Sequence, residues 1–111
     1  MQTCFRIAIT PGEPAGIGTD LVIALAQQQQ SHELVVIADP DMLEERAKML
    51  GLPLHIRGFD SSVAARPSAI GELVVMPVKL SQKAIPGVLS VANGPYILRT
   101  LDAAIEGCLS G

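Results

Sequence analysis

The sequence has few aromatic residues and no long apolar run. It contains no tryptophan, one tyrosine and two phenylalanines, although hydrophobic residues make up 49% of its 111 positions. The apolar content is therefore aliphatic, which is typical of buried parallel strands covered by helices. No apolar run approaches the ~20 residues that a membrane span needs. Because Arg6 interrupts the first apolar segment, we expect neither a membrane partner nor a signal peptide.

Basic clusters and paired cysteines are also missing. The net charge is −3 and no run of lysines or arginines occurs, so we expect no nucleic acid as a partner. Cys4 and Cys108 show no CxxC spacing, which predicts free thiols in a reducing cytoplasm rather than a structural disulfide. His32 and His55 are isolated from other metal-ligating residue types, so no metal site is expected in this chain and both should lie at strand ends or on the surface.

The apolar pattern predicts four strands and three helices. The strands are expected at residues 5–9, 33–38, 54–57 and 72–76. One helix should run from about residue 19 to 30, a second from 40 to 50, and a third from 93 onward. Irregular connections are expected over residues 58–71 and 78–88. This order predicts an α/β fold with three αβα layers and a mostly parallel sheet.

Helix boundaries and buried faces are predicted from the same pattern. Thr19 is the expected N-cap of the first helix, and Asp39 that of the second, with Pro40 at its first position and Gly51 at its end. Arg46 is expected to face water. The predicted inner face of the first helix comprises Ile17, Leu21 and Leu25, with Val22 and Ala26 alongside. That of the second comprises Leu43, Ala47 and Leu50, and that of the third comprises Ile97, Leu101, Ala104 and Cys108, flanked by Leu98 and Ile105.

A glycine-rich loop, TPGEPAGIGTD at residues 10–20, joins the first strand to the first helix. A strand, a glycine-rich turn and a helix N-terminus in succession form a cradle for negatively charged groups. The alternative is that a turn between strand and helix simply needs glycines. Glu13 and Asp20 flank the loop and have the chemistry of acid and base groups, although their spacing does not assign that role.

Two known phosphate-binding loops do not match this segment. The P-loop pattern fails because Ile17 stands at its second glycine position and no lysine follows. The dinucleotide pattern, started at Gly16, fails at Leu21. Asp39 lies where a Rossmann fold places a ribose-binding carboxylate, but the role of helix cap is favoured. Lys79 and Lys83 could meet a phosphate, with solvated surface lysines as the favoured interpretation.

The run ITPGEPAGIGTD at residues 9–20 closely resembles the opening of the 4-hydroxythreonine-4-phosphate dehydrogenase family. Residues 33–39, 47–53 and 93–96 are similar as well, and the resemblance covers essentially the whole chain. The loop is also similar to the PGDGIG-type turn of isocitrate and isopropylmalate dehydrogenases, which lies beside the nicotinamide cofactor. Thr19 replaces a proline common in the family. The cofactor-binding residues that the resemblance implies are Gly12, Glu13, Pro14, Ala15, Gly16, Ile17 and Gly18.

The resemblance implies a cytoplasmic, homodimeric enzyme of pyridoxal phosphate biosynthesis. Such an enzyme uses NAD or NADP and a divalent metal (Zn, Mg or Co) to oxidise a phosphorylated hydroxy-amino acid, 4-phosphooxy-threonine, whose keto product then loses CO₂. In the family, the metal-binding histidines and the phosphate-binding residues lie beyond the position matching Gly111. Residues 1–111 are therefore expected to form the N-terminal portion of a two-domain dehydrogenase, inactive alone, with its catalytic residues downstream.

Two alternatives remain open from the sequence. One is a paralogue that acts on another four-carbon phosphate, such as threonate or erythronate phosphate. The other is a non-catalytic α/β binding or assembly module. In each case, a sheet with an exposed edge and uncovered apolar faces predicts that the isolated chain self-associates.

Overall fold

The computed structural model describes residues 4–12, 16–80 and 93–110. Its elements are β1 (Arg6–Ile9), α1 (Ile17–Ala26), β2 (Glu33–Ala38), α2 (Pro40–Leu50), β3 (His55–Gly58), β4 (Glu72–Pro77) and α3 (Gly94–Ser110). The predicted order is confirmed, and the strand ends differ from prediction by at most one residue. Most of the second predicted connection, including Lys83, lies outside the described residues.

The helix α1 ends at Ala26 rather than near residue 30. The side-chain amide of Gln27 donates to the carbonyl oxygen of Ile23 at 3.2 Å and to that of Pro53 at 2.8 Å. The amide of Gln30 donates to the carbonyl oxygen of Leu25 at 3.1 Å. These side chains satisfy carbonyl groups at the end of the helix, so the predicted continuation of the helix to about residue 30 is wrong.

The four strands form one parallel sheet in the order β1-β2-β4-β3. β4 therefore lies inside the sheet, between β2 and β3, although it is the last of the described strands along the chain. Both α1 and α2 pack on one face, where they form an apolar core with alternate residues of β2 and β4. That core consists of Val22, Ile23, Ala26, Val36, Ala38, Met42, Leu43, Ala47, Leu73 and Val75.

The helix α3 lies on the opposite face, against β1 and β2. Val35 and Ile37 alternate along β2 with the core residues Val36 and Ala38, so their side chains lie on this second face. There they line a cleft together with Ala103 and Ala104 of α3. Two helices on one face and one on the other make three layers. The predicted αβα architecture with a parallel sheet is therefore confirmed.

The predicted buried face of α1 is only partly confirmed, because Val22 and Ala26 are buried as expected but Ile17 and Leu21 are not. Thr19, Val22, Ile23 and Ala26 are buried, whereas Ile17 is 74% exposed and Leu21 is 62% exposed. The segment is apolar on almost every side, so its periodicity cannot fix which side meets the sheet.

The face of α3 is only partly as predicted. Tyr96 and Thr100 are buried against the sheet, whereas Leu101 and Cys108, expected inside, are exposed. Four large apolar residues of this helix point away from the sheet, and we call them the α3 stripe. They are Leu98, Leu101, Ile105 and Leu109. Their spacing marks a face that needs cover, and among the described residues only β1 and β2 pack closely on the helix.

The local signals around α2 are largely confirmed. Asp39 is the N-cap, Pro40 is the first helical residue, and Gly51 ends the helix with a φ of +69°. Leu43 and Ala47 are buried as predicted, but Leu50 is 41% exposed. Gly51 turns the chain away before a last helical turn can bury Leu50.

The cysteines and histidines lie where the sequence suggests. Both Cys4 and Cys108 are free thiols. His32 precedes β2 and its Nδ1 accepts a hydrogen bond from the backbone N–H of Phe5 at 3.1 Å. His55 is the exposed first residue of β3. Across residues 4–12, 16–80 and 93–110, no helix has both the length and the apolar content required to cross a membrane.

Candidate functional site

The carboxyl ends of the parallel strands lie at one edge of the sheet, and we call this edge the carboxyl edge. β1 leads there into residues 10–12, β2 ends beside Asp39, and β4 leads into residues 78–80. In open α/β sheets, ligands bind outside the carboxyl ends of the strands. The carboxyl edge is therefore the candidate site, and the glycine-rich loop belongs to it.

Two glycines of the loop have a shape that other residues would disturb. Gly12 has a φ of +81°, a conformation that L-residues rarely adopt. A Cβ atom on Gly18 would overlap the carbonyl oxygen of Pro11. The first turn of α1 thus packs directly against the backbone that leaves β1. This packing requires glycine at position 18, whereas glycine is favoured at position 12 by the positive φ alone.

The helix α1 begins without a side-chain cap. Gly16 is the N-cap residue, with φ −88° and ψ −179°, and no side-chain cap hydrogen bond occurs there. The prediction that Thr19 caps the helix is wrong, because Thr19 lies inside the first turn and is fully buried. A glycine N-cap leaves the positive end of the helix dipole without a covering side chain, which is the arrangement that anion sites use.

Four of the seven predicted cofactor-binding residues are described, and they lie together. Gly12, Gly16 and Gly18 form the turn and the helix start, and the side chain of Ile17 is exposed beside them. Glu13, Pro14 and Ala15 lie outside the described residues. The geometry provides backbone groups and a helix N-terminus, which bind an anion or a nucleotide but do not transfer protons themselves.

Arg46 contacts the loop, against the prediction that it faces water. Its side chain is 5% exposed, and its Nη1 lies 2.7 Å from Oδ1 of Asp20. The same nitrogen lies 3.5 Å from the carbonyl oxygen of Gly16. Arg46 follows Leu43 by three positions and precedes Ala47 by one, so the helical periodicity did place it on the inner face. Charge alone suggested an exposed position.

Asp39 acts as a helix cap, as the sequence favoured. Its Oδ1 accepts hydrogen bonds from the backbone N–H groups of Asp41 at 2.9 Å and Met42 at 3.3 Å. Its Oδ2 accepts one from the N–H of Leu80 at 2.8 Å. Both oxygens are thus engaged by the protein itself, which disfavours the ribose-binding alternative.

Tyr96 connects α3 to the same edge. Its hydroxyl oxygen accepts a hydrogen bond from the backbone N–H of Asp39 at 3.1 Å. Burial raises the pKa of Tyr96 above its usual value, so the hydroxyl stays protonated. Lys79 is exposed, as the solvated interpretation expects, and its carbonyl oxygen accepts from Nη2 of Arg99 at 2.7 Å. Asp39 and Tyr96 therefore fix the positions of α2, α3 and residues 78–80.

The opposite edge carries a buried ion cluster that the sequence reasoning missed. Glu33 begins β2, and its carboxylate lies 2.7 Å from Nε of Arg6 and 3.2 Å from Nη2 of Arg57. Glu72 begins β4 and lies 3.5 Å from the same Arg57 nitrogen and 3.7 Å from Nη2 of Arg66. We call these five residues the Glu33 cluster. Glutamates at the starts of two apolar strands were the available signal.

Hydrogen bonds set the ionisation of Glu33. Burial alone would raise the pKa of Glu33, but hydrogen bonds from the Arg6 side chain, the Arg66 backbone and the Arg57 side chain outweigh it and lower that pKa. The guanidinium of Arg6 also donates to the carbonyl oxygens of Asp60 and Val63. The cluster therefore ties residues 59–69 to the sheet, far from the carboxyl edge.

Two curated bacterial proteins are similar to almost the whole chain. The 4-hydroxythreonine-4-phosphate dehydrogenase of Salmonella arizonae is 53% identical over 98% of this chain and 33% of its own length. That of Thioalkalivibrio sulfidiphilus is 52% identical over 100% of this chain and 34% of its own length. This chain thus spans about a third of the length of these relatives. No family model matches it.

Solved structures support the same relationship. A 4-hydroxythreonine-4-phosphate dehydrogenase from Burkholderia phymatum superposes with a TM-score of 0.85 at 27% identity, over 99% of this chain and 34% of that one. One from Klebsiella pneumoniae gives a TM-score of 0.80 at 25% identity, over 96% of this chain and 33% of that one. The three-layer fold and the sequence similarity therefore point to the same group of proteins.

Proposed function

We propose that this chain, a homologue of the 4-hydroxythreonine-4-phosphate dehydrogenases, forms the cofactor-binding wall of such an enzyme's active site. The single observation that carries the proposal is the glycine-rich loop at the carboxyl edge. It joins a parallel strand to a helix that has a glycine N-cap. In this arrangement a negatively charged cofactor meets backbone N–H groups and the positive end of a helix.

The residues of this chain would bind and orient the cofactor rather than carry out the chemistry. Gly12 turns the chain out of β1, and Gly18 lets the first turn of α1 lie against Pro11. Together they hold Gly12 and the start of α1 at the edge of the sheet. Asp39 and Tyr96 hold the neighbouring strand end and α3 in place. A rigid wall of this kind lowers the entropy cost of placing a cofactor against its substrate.

In the complete enzyme, the proposed reaction is oxidation of the hydroxyl of 4-phosphooxy-threonine, followed by decarboxylation of the keto acid. NAD or NADP would accept the hydride, and a divalent metal would polarise the reacting oxygen. We propose that the enzyme is a homodimer of the cytoplasm and serves pyridoxal phosphate biosynthesis. The names of the relatives support the phosphorylated substrate and the dehydrogenase class.

The cofactor and the metal differ in how well the described residues suit them. The loop suits an anionic cofactor, because it offers a glycine turn and a helix N-terminus. For the metal, no group of three or more His, Cys, Asp or Glu side chains in the described part of the chain is arranged to hold an ion. We therefore assign the metal ligands, and the catalytic residues with them, to the length that the relatives have in addition.

A hybrid enzyme tests the proposed cofactor role. This chain would replace the matching third of the 53% identical relative, which gives a full-length protein for assay. In the hybrid, Gly16→Val places a branched side chain on the loop. The extended backbone at Gly16 (φ −88°, ψ −179°) accommodates valine without strain. We expect the dissociation constant of NAD⁺ to rise by at least roughly tenfold, a loss of about 1.4 kcal/mol.

The control is Ala24→Val, on the exposed side of α1 and away from the loop. It likewise introduces a branched valine side chain, here within α1 and without approaching the carboxyl edge. Isothermal titration calorimetry with NAD⁺ and thermal unfolding would be measured for both variants. Unchanged NAD⁺ affinity in the Gly16→Val hybrid, with unfolding temperature intact, would refute the role of the loop.

A further inference from the structure

Arg46 is a buried cation on a helix whose other charged side chains are mostly in water. Glu44, Glu45 and Lys48 on α2 are exposed, whereas the side chain of Arg46 is only 5% exposed. Burying a guanidinium costs several kcal/mol unless it is well paired, and an apolar residue of similar size often stabilises a fold equally well. The position of Arg46 therefore calls for an explanation in terms of the groups it contacts.

Two contacts of Arg46 lie at the exit of the glycine-rich loop. Its Nη1 is 2.7 Å from the carboxylate of Asp20, in the first turn of α1, and 3.5 Å from the carbonyl oxygen of Gly16, the N-cap. One nitrogen thus joins α2 to the two ends of that first turn. Arg46 only donates hydrogen bonds and so does not cap the N–H groups of the first turn; it fixes the start of α1 by joining Gly16 and Asp20 to α2.

The charge of Asp20 gives the contact a second consequence. A carboxylate in the first turn stabilises the helix through its dipole. The same carboxylate would repel a negatively charged cofactor that approached the helix N-terminus. The side chain of Asp20 is 40% exposed, so its field reaches the solvent beside the loop. Arg46, at 2.7 Å, neutralises that charge and leaves the helix dipole to act on the ligand.

We infer that Arg46 is a positioning residue for the cofactor. It holds the exit of the glycine-rich loop and cancels the charge of Asp20, so that the loop accepts the anionic pyrophosphate of a nicotinamide dinucleotide. This inference rests on the proposed cofactor role of the loop.

Substitutions that remove the charge of Arg46, alone or together with that of Asp20, test the inference. In the hybrid enzyme, Arg46→Gln leaves Asp20 negative and should raise the dissociation constant of NAD⁺ about tenfold, equivalent to about 1.4 kcal/mol. The KM for the phosphorylated substrate should stay within about twofold, because the pair does not reach the substrate. Arg46→Lys keeps the charge and should retain most of the affinity. The combination Asp20→Asn with Arg46→Gln carries no unpaired charge and should bind NAD⁺ more tightly than Arg46→Gln alone.

This ordering separates a positioning role from a purely structural one. If Arg46 only stabilised the fold, Arg46→Gln would lower the unfolding temperature without changing the NAD⁺ affinity of the folded hybrid, and the double variant would bind NAD⁺ no more tightly than the single one. The weakening in Arg46→Gln should also shrink at high ionic strength, where exposed charges are screened. Lys48→Gln is the matched control, since it removes an exposed cation from the same helix and should leave NAD⁺ affinity unchanged.

Two results would overturn the inference. One is an Arg46→Gln hybrid that binds NAD⁺ as tightly as the unsubstituted hybrid while Gly16→Val weakens binding. The other is a double variant that binds more weakly than Arg46→Gln. If neither Gly16→Val nor Arg46→Gln affects NAD⁺ binding, the proposed function of the loop fails and the inference fails with it. The two failures are thus distinguishable.

Discussion

The two faces of the sheet differ in how completely this chain covers them. The face beneath α1 and α2 is closed, and its central residues Ile23, Val36 and Leu43 are inaccessible to solvent. The other face has a cleft of about 990 Å³ between the strands and α3, where Phe5 and Ala8 at its β1 side are exposed although Val35 and Ile37 in its lining are buried. The α3 stripe beside it is exposed as well. The closed face is stabilised by the chain itself, whereas the open face has surfaces that need further cover.

We expect the difference between the two faces to follow from the length of this chain relative to its relatives. The curated relatives are about three times as long as this chain, which spans 33% of one and 34% of the other. An exposed apolar patch of this kind marks an interaction surface or a site of aggregation. We therefore expect the additional length in such proteins to cover the open face, and the isolated chain to self-associate through it.

The largest expected effect concerns the closed face. Leu43→Ala removes a fully buried side chain from the core and should lower the free energy of unfolding by about 3 kcal/mol. Leu98→Ala, at a position of α3 that is 63% exposed, should lower it by less than about 0.5 kcal/mol. Urea denaturation followed by circular dichroism gives both values. Equal losses at the two positions would mean that α3 is covered in solution and that the faces do not differ.

An intermediate effect is expected at the Glu33 cluster, which lies at the edge of the sheet opposite the carboxyl edge. Glu33→Gln leaves Arg6 and Arg57 without their shared carboxylate and should lower the free energy of unfolding by about 2 kcal/mol at pH 7. Glu44→Gln, on the exposed side of α2, is the control and should change little. A loss no larger than that of the control would show that the cluster adds nothing to stability.

The pH dependence of the same variant has a defined sign. The pKa of Glu33 is lowered in the folded chain, so the unfolded chain binds the proton more readily. The stabilisation is fully present above the unfolded pKa of about 4.3 and is lost as the pH falls through the lowered folded pKa. The stability difference between the natural chain and Glu33→Gln should therefore shrink below about pH 4. Urea titrations from pH 7 to pH 3 measure it, and a difference that grows in acid would contradict the sign.

The smallest effect is expected at Asp39, on the carboxyl edge. Asp39→Ala removes the cap of α2 and the acceptor for the Leu80 N–H, and should cost about 1 kcal/mol in the free energy of unfolding. Asp41→Ala, in the exposed first turn of the same helix, is the comparison. In the hybrid enzyme, NAD⁺ affinity should not fall beyond what the lost stability explains. A selective loss of NAD⁺ affinity in Asp39→Asn would restore the ribose-binding interpretation.

Features that depend on a few neighbouring residues could be predicted from the sequence. The cap at Asp39, the stop at Gly51 and the strand at Glu33–Ala38 all follow from local signals, and each is confirmed. The buried faces of α1 and α3 could not be predicted as well. They depend on which surfaces other elements cover, and an apolar stripe does not say whether its partner is present.

The contacts that define the candidate site were harder to foresee. Arg46 and Asp20 are 26 positions apart and meet only because α1 and α2 pack side by side on one face of the sheet. The Glu33 cluster joins residues of all four described strands and a connection, so it requires the strand order and the parity of each strand. Neither the strand order nor the parity of each strand can be read from composition and residue spacing.

The central position of β4 has a consequence for how the chain acquires its fold. β2 and β3 are not neighbours in the sheet. Each pairs with β4, so neither of these two pairings can form until residues 72–77 have been synthesised. During synthesis, β1, β2 and β3 therefore leave the ribosome before β4 can join them into one sheet. Val35, for example, pairs with Val74, which lies 39 positions later in the chain. Such long-range pairing slows folding, because a long loop must close before the contact forms.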